Sequence, residues 1–195
     1  MDDQSIYEDI ESSWAKAEEQ SKQFPDFVND KTSWTHGDNW DIDPSFLESA
    51  IVIASLAHAC QRDKNGRPYI LHCLRVMMRG KTDDEKAVGV LHDILEDTDT
   101  TTFEILAEGI PLHIVEAVVA LSHNEKANEP RKQYYDRIKS NPLAHVVKRY
   151  DLDDNTSPER FAEIDEKNKP RLKKKYREAY EYLYGFVPEH LNEPA

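Results

Sequence analysis

Asp83-Asp84-Glu85-Lys86-Ala87-Val88-Gly89-Val90-Leu91-His92-Asp93-Ile94-Leu95 is the stretch whose reading decides the fold class. Ala87, Val88, Leu91 and Leu95 recur at the three-to-four-residue interval of an α-helix, and Thr82 or Asp83 is available as the N-cap. The spacing predicts one amphipathic helix over residues 83–95. Working outward, the same period recurs almost everywhere after Pro44. Phe46, Leu47, Ala50, Ile51, Ile53, Ala54 and Ala57 form one apolar stripe, ended near Asn65-Gly66. Further helices are predicted over 69–78, closed by Gly80, over 112–121 behind Pro111, and over 134–139, 142–151, 158–166 and 170–184. No sustained period-two alternation marks a strand. The expectation is a compact, single all-α domain over residues 44–187, followed by a C-terminal tail at 188–195. Before it lie residues 1–43, which carry all three tryptophans; Ile6, Ile10, Trp14 and Ala17 predict a first helix, and 24–43 reads as an irregular connector.

Composition narrows the function. The 195 residues are 38% apolar, enough for one core, and carry a formal net charge of −13. No basic block offers a footprint for a phosphate backbone, so a dedicated nucleic-acid binder is excluded. Six glycines, never closer than nine residues apart, rule out GxGxxG, the P-loop and the GxSxG elbow. Any phosphate handled here must meet side chains or a metal. Apolar runs reach five residues, as in Ala50 to Ala54, against roughly 20 for a membrane span, so neither a span nor a secretory leader is expected. Cys60 and Cys73 make no CxxC pair, and a reducing cytoplasm is the expected setting.

Three segments carry the chemistry. In His92-Asp93-Ile94-Leu95-Glu96-Asp97, adjacent imidazole and carboxylate can face one divalent cation where the backbone turns. Glu96 lies on the same face, placed to orient or deprotonate a water at that ion. Alone, the segment also reads as a helix ending in a solvated acidic turn. In Asp151-Leu152-Asp153-Asp154-Asn155, Asp151 and Asn155 are neighbours one turn apart if the stretch is helical; otherwise it is a helix end before the Pro158 helix. His72, among Ile70, Leu71 and Leu74, reads as a ligand or as a core histidine, and His58 as a group behind it or as packing. Taken together, His72, His92, Asp93 and Asp151 make a mixed nitrogen and oxygen set suited to Mn²⁺, Fe²⁺ or Zn²⁺, with coordination positions left for water and substrate.

Four separated motifs occur in one order: HACQ at 58–61, DKNGRPYILH at 63–72, LHDILEDT at 91–98 and DLDDN at 151–155. In that order and spacing the chain resembles the HD-domain hydrolases of the RelA/SpoT homologue superfamily, and within it the single-domain small alarmone hydrolases. YYDRIKSNPLA at 134–144 and RLKKKY at 171–176 add to the likeness, which runs from about residue 45 to 185. The resemblance implies an HD-type helical bundle. It also implies hydrolysis of the 3′-pyrophosphate of (p)ppGpp to GDP or GTP plus pyrophosphate, with one divalent ion, usually Mn²⁺. His72, His92, Asp93 and Asp151 match the family's metal ligands. Glu96 matches the residue that activates water, Asn155 its companion across the metal, and Asp97 a neighbouring acidic position. Lys64 matches a basic loop residue near the substrate phosphates; Arg62, Lys126, Lys148 and Tyr176 are further candidates for substrate contact. The partners implied are a nucleotide substrate and an alarmone synthetase in a toxin–antitoxin relationship, with no nucleic acid and no membrane.

Three positions depart from the family pattern. Cys73 stands where proline usually follows the histidine, Arg149-Tyr150 replaces a small or apolar pair, and Asp153 occupies a spot where a basic residue is frequent. A tyrosine beside a ligand is expected to reshape the nucleotide pocket. Hydrolysis of ppApp or another ribose-phosphorylated nucleotide such as NADPH is therefore the alternative within the enzyme class. A non-catalytic alarmone-binding module and a helical scaffold are the readings outside it.

Overall fold

The computed structural model describes residues 45–123 and 128–192, and these described residues form one compact unit. The first helix expected around Ile6 to Ala17 and the connector after it lie outside the described residues, as does Lys126. The helices are α1 (Phe46–Ala57), α2 (Ile70–Arg79), α3 (Asp83–Leu91), α4 (Ile94–Asp97), α5 (Thr102–Ala107), α6 (Leu112–Leu121), α7 (Arg131–Ser140), α8 (Pro142–Asn155), α9 (Pro158–Ala162) and α10 (Lys169–Tyr184). Among the described residues the only β pairing is a lone bridge between Arg62 and Pro68. The all-α expectation is borne out.

The core forms around α3, which packs against α1, α2, α6 and α8. Ala87 through Leu91 are all buried, so this helix is apolar on every side over its second half. Such a helix is stable only when neighbours enclose it. Thr82 caps it by accepting from Glu85 N–H, a contact worth about 1 kcal/mol. Gly89 lets α2 approach: a Cβ there would sit 3.0 Å from Met77 Cα and 3.1 Å from Met77 N.

The long helix expected over 83–95 is interrupted. α3 ends at Leu91, His92 and Asp93 form a turn, and α4 restarts at Ile94. The His92 ring explains the break, since Nδ1 donates to Gly89 O at 2.8 Å. That carbonyl is the acceptor the next helical turn would use. Asp93 then takes φ −103° and ψ −2° and starts α4.

The helix expected over 142–151 runs on to Asn155, placing Asp151 and Asn155 one turn apart on α8. The helix expected over 158–166 stops at Ala162. α5 was not anticipated; it is short, opened by a Thr101–Glu104 capping box. Although residues 188–195 read as a tail, a 3-10 turn at Glu189–Leu191 sets Leu191 fully into the core.

Candidate metal and catalytic site

The first two ligand candidates come from the buried ends of α2 and α3. His72 lies in the first turn of α2 and His92 at the α3–α4 turn, with ring centroids 5.1 Å apart and edge to face. Each Nδ1 is occupied from behind. His72 Nδ1 is 2.7 Å from Asp154 Oδ2, and His92 Nδ1 donates to Gly89 O. Both Nε2 atoms are thereby left as lone pairs facing forward.

Two carboxylates from α8 and the α3–α4 turn meet those nitrogens. Asp93 Oδ2 is 2.8 Å from His92 Nε2 and 3.7 Å from His72 Nε2. Asp151 Oδ1 is 3.3 Å from His72 Nε2 and 3.7 Å from His92 Nε2. His72, His92 and Asp93 offer ligand atoms all within 4.8 Å of one another. His92 Nε2 is buried and has no hydrogen-bond partner despite its closeness to Asp93. Lone pairs turned on one another at such distances need a positive charge between them. The donor set fits a divalent cation of the kind named from the sequence.

The electrostatics agree. Burial opposes charge on either imidazole, yet hydrogen bonds to Asp151 and Asp154 outweigh it and raise the pKa of His72. Burial is likewise overcome at His92, whose pKa the Asp93 charge and Asp151 lift well above the ordinary value. Burial would push the carboxyls up, but His92 draws Asp93 down, and Lys148 with both histidines holds Asp151 well below the usual range. The cluster is built to keep positive charge beside its carboxylates, which a proton or a metal ion can supply.

Above it opens a cavity of about 620 Å³, the scale of a nucleotide-sized ligand. Its wall includes Arg62, Lys64, Glu96, Asp97, Asn155 and Tyr176, and also Lys148. Glu96 reaches it from α4, its Oε2 accepting His123 N–H at 3.0 Å. Burial raises the Glu96 pKa, although the His123 amide pulls the other way. Burial raises Asp97 as well, and its carbonyl receives Gln61 Nε2 at 2.8 Å. Asn155 Nδ2 donates to Asp151 Oδ1 at 2.5 Å, and Lys148 Nζ lies 2.9 Å from Asp151 Oδ2.

Arg62 and Lys64 are set by a tight loop between α1 and α2. Asp63 Oδ1 accepts from Asn65 and Arg67 N–H, and Gly66 supplies φ +77°. Asn65 and Arg67 both engage Glu163, which ties the loop to the chain after α9.

Arg149 and Tyr150 do not reshape this cavity. Arg149 turns away to Asp153 at 2.8 Å and lies over the rings of Tyr180, Tyr184 and Phe186. The Tyr150 hydroxyl donates to Glu85. Successive helical residues point about 100° apart, so two residues preceding a ligand can both miss the site. Asp153 also faces outward, receiving Tyr180 OH at 2.6 Å. His58 is buried, its Nδ1 2.8 Å from Gln61 Oε1.

Sequence reading missed two residues beside the cluster. Tyr69 OH donates to Asp93 Oδ2 at 2.6 Å, its own proton held because burial raises the phenol pKa. Asp154 is 2% exposed. It meets His72 on one side and Arg75 and Arg160 on the other. Burial favours its neutral form, but His72 and Arg75 bring its pKa down to about 2. Tyr69 lies within the DKNGRPYILH motif and was legible by place; nothing local singled Asp154 out from Asp153.

No protein-family model matches the chain. Segments of it are similar to curated proteins. One is 40% identical over 63 residues to the guanosine-3′,5′-bis(diphosphate) 3′-pyrophosphohydrolase of Aquifex aeolicus (strain VF5), covering 30% of this chain and 9% of that protein. Another is 44% identical over 62 residues to a probable enzyme of the same name from Synechocystis, covering 30% and 8%. A third is 39% identical over 64 residues to a putative chloroplastic GTP diphosphokinase of Oryza sativa subsp. japonica, covering 31% and 7%. The matches thus span under a tenth of those relatives' length. In fold, the chain is similar to the solved structure of a metazoan ortholog of SpoT that hydrolyzes ppGpp. The TM-score is 0.58 at 17% identity, over 77% of this chain and 92% of that one. The resemblance to HD-domain RelA/SpoT homologues is borne out, in sequence over these segments and in fold across the described unit. No helix among the described residues is long and apolar enough to cross a membrane.

Proposed function

We propose that this protein hydrolyses the 3′-pyrophosphate of (p)ppGpp, releasing pyrophosphate and GDP or GTP, with one divalent cation, Mn²⁺ first among the candidates. The observation that carries the reading is the convergence of buried His72, His92 and Asp151 with half-buried Asp93 at one side of a nucleotide-sized cavity that Glu96, Asn155 and several cations also reach. Names of the sequence relatives and the fold of the SpoT ortholog support the same substrate class.

His72, His92, Asp93 and Asp151 would hold the ion. When bound, it would supply Lewis-acid activation of water and offset phosphoryl charge. Hydrolysis breaks the bond between the ribose 3′ oxygen and its phosphorus. A water oxygen bonds to that phosphorus, its proton passes to a base, and the leaving oxygen takes up a proton. Glu96 is placed as that base: its raised pKa brings it nearer the working pH while the His123 amide fixes its orientation. Asn155, anchored on Asp151, faces the cavity with a side-chain amide able to orient the water or a phosphoryl oxygen. Lys64, Arg62 and Lys148 supply positive charge to the phosphates, and Tyr176, kept neutral because burial pushes its phenol up to about 12, offers a ring and a hydroxyl for the nucleoside.

The test is release of pyrophosphate from ppGpp and ppApp, and of orthophosphate from NADPH, with added Mn²⁺. Glu96→Gln should lower turnover of ppGpp by about 10²–10⁴-fold with thermal stability unchanged. Turnover that survives the substitution would remove Glu96 from the role. Preference for ppApp or NADPH would overturn the substrate while keeping the chemistry.

A further inference from the structure

Beside the metal cluster, along the cavity wall that Asp151, Asn155 and Arg160 line, the polar contacts close into a ring. His72 Nδ1 meets Asp154 Oδ2 at 2.7 Å, and the same oxygen lies 3.1 Å from Arg160 Nη1. Arg160 Nη2 reaches Asn155 Oδ1 at 3.5 Å, and Asn155 Nδ2 donates to Asp151 Oδ1 at 2.5 Å. Asp151 Oδ1 in turn lies 3.3 Å from His72 Nε2. Arg75 grips Asp154 from outside with Nε at 2.8 Å and Nη2 at 3.2 Å. A buried carboxylate without cations is costly; here Arg75 and His72 keep it charged, and its Oδ2 is shared by the imidazole, Arg75 Nη2 and the nearby Arg160 guanidinium.

We propose that Asp154 is a positioning residue for the metal site: it fixes His72 in the Nδ1–H tautomer with Nε2 presented to the ion, and Arg160 couples it to the Asn155–Asp151 pair. The inference rests on the metal-site reading above. Its physical basis is that a neutral imidazole carries one proton, and whichever nitrogen donates leaves the other as ligand. Asp154 accepts only, so it forces the proton onto Nδ1. An asparagine in its place can donate instead, which lets the proton move to Nε2 and block coordination. Arg160 brings in α9, and through it a ligand from α2 and one from α8 are held as one unit.

The experiment uses the full chain. Mn²⁺ affinity is measured by electron paramagnetic resonance, and the His72 tautomer by ¹⁵N imidazole shifts in the metal-free protein at a pH high enough to leave the ring neutral. Wild type should bind Mn²⁺ and show His72 protonated at Nδ1. Asp154→Asn should weaken Mn²⁺ binding by about 10–100-fold and shift His72 toward Nε2–H, a change that loss of packing alone does not produce. Unchanged affinity and tautomer overturn the proposal. Should that variant not fold, Arg160→Gln, which keeps Asp154 on Arg75 and His72, should lose about tenfold in affinity, and no loss there overturns it equally. Wild type that binds no Mn²⁺ would instead sink the metal-site reading itself, so the two failures are distinct.

Discussion

At Cys60 the backbone adopts φ 65°, a conformation in which a Cβ crowds the following carbonyl. The side chain is exposed, so little packing offsets that strain. Cys60→Gly should therefore stabilise the protein by about 0.5–1 kcal/mol, the relief of αL strain exceeding the extra unfolded-state entropy of glycine. A urea midpoint that stays put or falls would show that the cysteine makes a contact worth more than the strain. The same residue-level view separates what could be read from the sequence and what could not. His72, His92, Asp93 and Asp151 could be singled out because together they make a donor set suited to one cation and match the ligand positions of the resembled family, and the structure brings them together. Asp154 was not, because its partner His72 is 82 positions away in sequence, and three aspartates within four residues look alike until the helix assigns each a direction. Arg149 and Tyr150 show the opposite error: adjacency to a ligand in sequence was mistaken for adjacency in space.

At the scale of elements, helices with a full apolar stripe were legible, since burial and period agree there. α6 spans Leu112–Leu121, as its spacing predicts. What escaped was the point at which a side chain overrides the period. His92 takes the Gly89 carbonyl and breaks a helix whose apolar pattern continues to Leu95. α5 escaped because six residues give too little periodicity, although its Thr101–Glu104 capping box was written in the sequence. The α2–α3 contact that positions this break can be tested at Gly89. Alanine would gain about 1 kcal/mol of helix propensity, but its methyl would meet backbone atoms of Met77 and Val76 at 3.0–3.3 Å, which cannot swing aside. Overpacking of this kind costs about 1–3 kcal/mol, so Gly89→Ala should be net destabilised in urea. Because the displaced carbonyl is the one holding His92, the folded variant should also bind Mn²⁺ more weakly than wild type. A variant as stable as wild type would show that the two helices can separate without strain.

For the whole molecule, charge opposes the proposed substrate. Residues 1–44 contain 12 acidic and 3 basic residues, so they contribute −9 of the net −13, and residues 45–195 only −4. A (p)ppGpp molecule approaching from bulk meets that net negative field before it meets Lys64, Arg62 or Lys148. At about 10 mM ionic strength the Debye length is roughly 30 Å, comparable with the molecule, and at about 0.1 M it is roughly 10 Å. Raising salt over that range should screen the long-range repulsion of the net charge more than the attraction of cations a few ångströms from the bound phosphates. The proposed hydrolase should thus show a kcat/KM that rises a few-fold between those ionic strengths at fixed free Mn²⁺, the reverse of a protein that attracts polyanions through a basic face. Stopped-flow binding of a fluorescent guanine nucleotide isolates the association rate, where the effect should reside. A rate that falls with salt would mean that the cavity cations govern approach even at long range, against the net charge of the chain.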